Sequence, residues 1–271
     1  MSNGKQLVPL KDRMLTIRSM METNKAAFVA ALPRHMNADR LIRVALTSFN
    51  LTPKLLDCTP RSLLGAVIQC AQLGLEPGVL GHAYLIPYGQ DVQLVIGYRG
   101  LIQLARRSGE ISTVTAHEVY SEDKFSYRYG LTPELNHTPA ETAKRGDITH
   151  FYAVVKLKDG GAQFEVMTKA QVDAHRDRYS RAAKQGPWIT EYVEMGKKTV
   201  LRRVLKLSPA SIEMQQAVQL DEKAELQLPQ GLGELSGLPP EEGEAAEGGK
   251  LDALSDTIEN GVQGRLPEPA A

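Results

Sequence analysis

Residues 81–108 read GHAYLIPYGQDVQLVIGYRGLIQLARRS. Within this stretch, 82–88 and 91–96 are short β-rich runs around Gly89-Gln90, a two-residue spacing that predicts a β-hairpin. Gly97 ends the second run, and 98–108 predicts a helix closed by Gly109. At 100° per residue, Arg99, Gln103, Arg106 and Arg107 fall on one side of that helix and Leu101, Leu104 and Ala105 on the other. A hairpin feeding an amphipathic helix, with guanidinium groups opposite the apolar stripe, predicts an α+β fold.

Upstream the periodicity is helical. A helix is expected over 10–32, with Leu15, Met21, Phe28 and Leu32 among its apolar positions and Pro33 at its end. A second follows over 38–49, capped by Asn37. A third opens at Thr59-Pro60, an N-cap followed by proline at the first helical position, and runs to Gly74. Downstream, strands are expected at 111–120, 124–129, 150–158 and 163–167. The last two flank the hairpin turn Asp159-Gly160-Gly161. The polar stretch 130–147, with Pro133 and Pro139, reads as a long loop. Helices return at 168–181, at 187–206 with an interruption at Gly196, and at 211–220.

From about 226 the composition narrows to Gly, Pro, Glu, Ala and Ser, which buries too little apolar surface to offset ordering, so a disordered tail is expected. Within it, 251–258 keeps some amphipathic character and could fold on a partner. The formal net charge of zero is a cancellation. Residues 224–271 hold ten acidic and two basic side chains, leaving 30 basic and 22 acidic ones in 1–223. A basic body (1–223) with an acidic flexible extension (224–271) points to a polyanion binder. Cys58 and Cys70 fit no zinc spacing and read as small buried apolar residues. No signal core or membrane-length apolar run appears, so a soluble, cytoplasmic protein is expected.

Two further segments carry cations. Lys198, Arg202 and Lys206 form an i, i+4, i+8 row with Arg203 beside it. Successive members lie roughly 6 Å apart along a helix axis. One DNA strand offers a phosphate every roughly 3.4 Å of rise, so such a row can follow a backbone. Lys197 projects among Val200, Leu201 and Val204, either snorkelling or awaiting an anion. Between the two helices, 169–188 interleaves Lys169, Arg176, Arg178, Arg181 and Lys184 with Tyr179 and Trp188, a pattern suited to single strands. Asp173 and Asp177 are potential partners for some of these cations. Trp188 reads as a core residue rather than a base-stacking one. Tyr84, Tyr88, Tyr127 and Tyr129 are strand tyrosines open to both readings.

Gly196-Lys197-Lys198-Thr199 lacks the earlier glycine of a phosphate loop and sits in a helical pattern, which argues against ATP binding there. His117, Glu118, Glu122 and Asp123 could gather a divalent ion, as a nuclease would need. A solvated turn is the plainer account of them.

Four motifs in order resemble the RecT family of phage and prophage recombinases. They are Leu73-Gly74-Leu75-Glu76-Pro77; Gly81 to Tyr88 with Ile96-Gly97-Tyr98-Arg99-Gly100-Leu101; Pro187-Trp188; and Glu194-Met195 with Lys197 to Arg202. The resemblance spans roughly 10–215 and excludes the tail. It implies a curved antiparallel sheet with packed helices, the annealing fold shared with Redβ. It implies a single-strand annealing protein of recombination and DNA repair, not an enzyme, that needs no ATP or other cofactor, with Mg2+ at most a modulator. It also implies that the body (1–223) is the DNA-binding, annealing and oligomerisation domain, with rings or helical filaments of the chain itself, a partner 5′→3′ exonuclease and the host single-strand-binding protein. The expected DNA contacts are Tyr98, Arg99, Arg106, Arg107, Arg178, Arg181, Lys184, Lys197, Lys198, Arg202, Arg203 and Lys206. On this reading Lys198→Ala with Arg202→Ala abolishes annealing and leaves the fold intact; where the acidic tail competes with DNA for the groove rather than serving as a solubilising linker, truncation at about 225 tightens DNA binding at low salt. A metal-dependent nuclease and a structural oligomer without DNA are the alternatives.

Overall fold

The computed structural model describes residues 9–238 apart from 35, 79, 143, 181, 182, 185 and 210. The N-terminal third is helical. The single helix expected over 10–32 is two, α1 (Leu10–Thr23) and α2 (Lys25–Ala31), divided at Asn24, whose side-chain amide donates to the Met20 carbonyl at 2.8 Å. In α3 (Ala38–Leu51) the Asn37 side chain accepts from the Arg40 amide, as its position predicts. Next, α4 (Pro60–Leu73) starts on the Thr59 hydroxyl and stops at Gly74, whose left-handed φ of 61° suits glycine. It is buried along most of its length and forms the centre of the main core.

The opening hairpin is β1 (Ala83–Tyr88) and β2 (Asp91–Ile96), paired antiparallel from Tyr88↔Asp91 to Ala83↔Ile96. In this register Val92, Leu94 and Ile96 point their N–H groups away from β1. Each finds a side chain instead of a strand. The Ser62 hydroxyl accepts from Val92 at 3.1 Å, the Gln230 amide oxygen from Leu94 at 2.7 Å, and the Asp221 carboxylate from Ile96 at 3.2 Å. On β1, Pro87 stands opposite Val92, where no ladder donor is needed.

After α5 (Tyr98–Arg107) come β3 (Ile111–Tyr120), β4 (Lys124–Arg128), β5 (Glu134–Thr138), β6 (Ile148–Leu157) and β7 (Ala162–Thr168). The loop expected over 130–147 therefore contains a strand, β5, paired with β4 from Lys124↔Thr138 to Arg128↔Glu134. The strands form three antiparallel sheets, β1-β2, β3-β6-β7 and β4-β5, not one continuous curved sheet. Capping of the β2 edge by Ser62, Gln230 and Asp221 is the physical reason the first hairpin stays separate.

Helices α6 (Lys169–Tyr179), α7 (Pro187–Thr190), α8 (Tyr192–Leu207) and α9 (Ile212–Glu225) complete the α+β unit. The break expected at Gly196 falls at Glu191 instead. Gly196 lies inside α8, where a Cβ would come 2.5 Å from the Phe151 ring, so its missing side chain lets α8 settle onto β6. The opposite face of that sheet carries a smaller core of Val119, Tyr152 and Val166, with Phe125 and Leu135 of the β4-β5 hairpin packed on it.

The compact unit continues through Ser236, past the expected boundary at 223. Gln230 bonds β2, and Leu232 lies buried in a 3-10 turn (Leu232–Ser236) whose backbone presses on Gly65 of α4. Expecting this segment in the tail overlooked that Leu226, Leu228 and Leu232 punctuate its polar composition. With the boundary at Ser236, the first unit holds 30 basic and 24 acidic residues. Gly237–Ala271 forms the second unit; the expectations of disorder and of partner-induced folding at 251–258 lie outside the described residues. No helix among the described residues is long and apolar enough to cross a membrane.

Candidate nucleic-acid interface

Helix α5 starts hard against the first hairpin because two glycines permit it. A Cβ on Gly97 would overlap the Gly81 carbonyl, and one on Gly100 the His82 carbonyl. Leu101, Leu104 and Ala105 are then buried, as the periodicity predicts. Arg99 projects outward beside Tyr98, its Nε donating to the Tyr98 hydroxyl at 3.3 Å. Arg99 and the Tyr84 hydroxyl both flank Gly81. Arg106 is exposed and makes no ion pair among the described residues. Arg107 acts within the fold instead, where its guanidinium donates to the Leu73 carbonyl and closes the C-terminus of α4. Burial of that group lowers its pKa. Arg107 thus caps a helix while the residue as a whole stays exposed.

The outward face of β1 carries Tyr84, Ile86 and Tyr88 at 46%, 44% and 40% exposure. This stripe starts at Arg99 and ends at a groove of about 380 Å³ between the hairpin, α7, α8 and α9. Tyr88, Trp188, Met195, Lys198 and Arg202 line the groove. The structure thus brings the hairpin, the Trp188 segment and two members of the α8 row to one site.

Those two cations are already occupied. Lys198 pairs with Asp221 at 2.6 Å. Arg202, 6% exposed, pairs with Asp221 at 3.0 Å and with Glu225. Lys206 pairs with Glu222, and Arg203 approaches Glu165 at 3.8 Å. Lys197 finds its anions inside the protein, Glu194 at 2.9 Å and Glu118 at 3.2 Å. The i, i+4, i+8 row is therefore an ionic seam between α8 and α9. Burial opposes the charge on Arg202, but Glu225 and Asp221 outweigh it and raise its pKa. Burial likewise works against the Glu225 carboxylate, yet His175 and Arg202 hold its pKa at about 2. Removing one partner from so enclosed a network strands the others, so the Lys198→Ala, Arg202→Ala pair disturbs the fold. The expected clamps Lys197, Lys198, Arg202, Arg203 and Lys206 are thus each paired with, or close to, a carboxylate of the same chain.

The segment between α6 and α8 retains open cations. Arg178 and Lys184 are exposed and make no ion pair among the described residues, and Arg178 lies over the Tyr179 ring at 5.3 Å. Arg181 lies outside the described residues. As expected, Asp173 takes up Lys169 and Arg176, and Asp177 also pairs with Arg176. Trp188 is buried at 3% exposure, as read from the sequence.

Two other motifs resolve into structure. Gly196 to Thr199 lies inside α8, with the Thr199 hydroxyl on the Met195 carbonyl and Lys198 on Asp221, so no amides face a phosphate. In the 117–123 cluster, Asp123 is wholly buried rather than solvated. It accepts from Arg145, His137 and the amides of Tyr120 and Ala140, and Arg145 above all holds its carboxyl far below the usual range. With Glu118 paired to Lys197, the described residues contain no His, Cys, Asp or Glu group placed to hold a metal ion. Burial pushes the Cys58 thiol up to about 11 and the Cys70 thiol to about 12, leaving both as apolar packing.

Sequence reasoning missed Asp221, Glu222 and Glu225. Their i, i+1, i+4 spacing mirrors the basic row of α8 and was the available signal.

The RecT family matches residues 39–230. Over 211 residues the chain is 50% identical to Protein RecT of Escherichia coli (strain K12), covering 74% of this chain and 78% of that protein. It is 31% identical over 175 residues to the uncharacterized protein YqaK of Bacillus subtilis (strain 168), covering 64% and 60%. The chain belongs to the RecT family, and with it to proteins that anneal DNA in recombination.

Proposed function

We propose that this protein binds single-stranded DNA and pairs complementary strands without ATP. The family match across residues 39–230 carries the reading. The surface supports it: Arg99, Arg106, Arg178 and Lys184 stand exposed and without ion pairs among the described residues, and the exposed Tyr84, Ile86, Tyr88 stripe begins beside Arg99. Annealing requires neutralising two polyanions while leaving their pairing edges open, so backbone contacts by exposed cations are the useful kind. The protein assembles on itself into rings or filaments, shares the annealing fold of Redβ, and works in the bacterial cytoplasm beside a 5′→3′ exonuclease and the host single-strand-binding protein. It is not an enzyme; Mg2+ modulates and is not required.

The test is annealing of two complementary oligonucleotides without nucleotide, alongside a salt titration of single-strand affinity. Wild type accelerates pairing, and each lost phosphate contact lowers the salt slope by about 0.7. Arg99→Ala, Arg106→Ala, Arg178→Ala and Lys184→Ala combined flatten that slope with little loss of stability. Pairing no faster than in protein-free buffer refutes the proposal.

A further inference from the structure

The groove between the first hairpin and α8 has properties that the phosphate-binding account does not use. Its floor is electrically balanced, because Lys198 and Arg202 are matched by Asp221 and Glu225. Among the described residues that line it, a phosphate meets no unpaired cation. Its walls are apolar and aromatic, formed by Ile86, Pro87, Tyr88, Trp188 and Met195. At about 380 Å³ it has the size of a small-ligand site. Trp188 lines the groove, and its buried Nε1–H has no acceptor among the described residues. Such an orphan donor costs about 1–3 kcal/mol, recoverable by a ligand that brings an acceptor.

Resting on the single-strand reading above, we propose that this groove seats one nucleobase of the bound strand. Its face lies against Tyr88 and Ile86, both substantially exposed. Its minor-groove edge supplies the acceptor for Trp188. Purine N3 and pyrimidine O2 occupy equivalent places on that edge, so the contact discriminates little between bases. The Watson–Crick edge can then face away from the wall, as pairing to a second strand demands.

The chain contains a single tryptophan, so its emission reports on this site alone. The full-length protein is titrated with an oligothymidylate and with an abasic strand of equal length, binding of each being followed independently by anisotropy of an end label. Both strands bind; the oligothymidylate quenches Trp188 and the abasic strand does not. Tyr88→Ala weakens oligothymidylate binding by about 5- to 100-fold, the value of one lost stacking contact, and leaves abasic binding unchanged. Trp188→Phe, which keeps the ring and deletes the donor, weakens only the oligothymidylate. If both strands bind and tryptophan responds equally to each or to neither, or if Tyr88→Ala weakens both alike, the base site is overturned and the DNA-binding reading stands. If neither strand binds, both fall.

Discussion

Replacing Arg202 with alanine tests whether the basic row of α8 is architecture. The guanidinium is 6% exposed and bonds Asp221, 1% exposed, as well as Glu225, which is also enclosed. Truncation leaves two carboxylates in a site that water barely reaches. Lys198 still faces Asp221, and His175 still faces Glu225 at 3.5 Å, so the loss is partial. Stranding a buried charge costs about 3–5 kcal/mol. At about 2–4 °C per kcal/mol for a domain of this size, Tm falls by about 6–20 °C. Urea unfolding followed by far-ultraviolet circular dichroism and by Trp188 emission measures it, with the exposed Arg106→Ala expected within about 0.5 kcal/mol of wild type. Adding Glu225→Gln to Arg202→Ala restores part of the loss, because it removes one stranded charge. The pH dependence has a definite sign. Glu225 titrates at about 2 when folded and near 4.5 when unfolded. Its contribution is complete above about pH 4.5 and is lost as pH falls toward 2. Arg202→Ala removes part of that acid-dependent loss, the part due to His175 remaining. Stability of Arg202→Ala within about 1 kcal/mol of Arg106→Ala would refute the seam.

Three other outcomes follow from the packing. Asp123→Asn removes a carboxylate that holds Arg145, His137 and two amides; it destabilises the β4-β5 hairpin by about 1–3 kcal/mol, read as faster amide exchange over 124–138 than in wild type. Gly196→Ala forces a methyl against Phe151 and costs about 1–3 kcal/mol in urea, with secondary structure retained. Truncation after Glu225 gives a lower Tm than truncation after Ser236, because Gln230 and Leu232 seal β2 and α4; equal Tm values for the two truncations would show that the 226–236 segment contributes nothing.

Much of the fold is legible in the chain. Caps at Asn37 and Thr59, the turn at Gly89-Gln90 and the amphipathic pattern of α5 are local signals, and each appears where its residues predict. The motifs that resemble the RecT family were equally readable, since they depend on residue identity and order alone. Strand β5 was hidden because its alternation is short and lies among prolines and glycines. The break at Glu191 was misplaced because Gly196 is a local helix breaker that here serves a tertiary contact with Phe151.

The site divides along the same line. Periodicity showed which cations share a helix face, and α8 does present Lys198, Arg202 and Lys206 together. It could not show that α9 lays Asp221, Glu222 and Glu225 against them, because that pairing joins residues about 16 to 23 positions apart through packing. By itself the sequence determined the helices, hairpins, family and sign of charge, all set by neighbours along the chain. Tertiary structure alone decided which cations remain open to a polyanion, because a charge is available only where folding has brought no opposite charge to it.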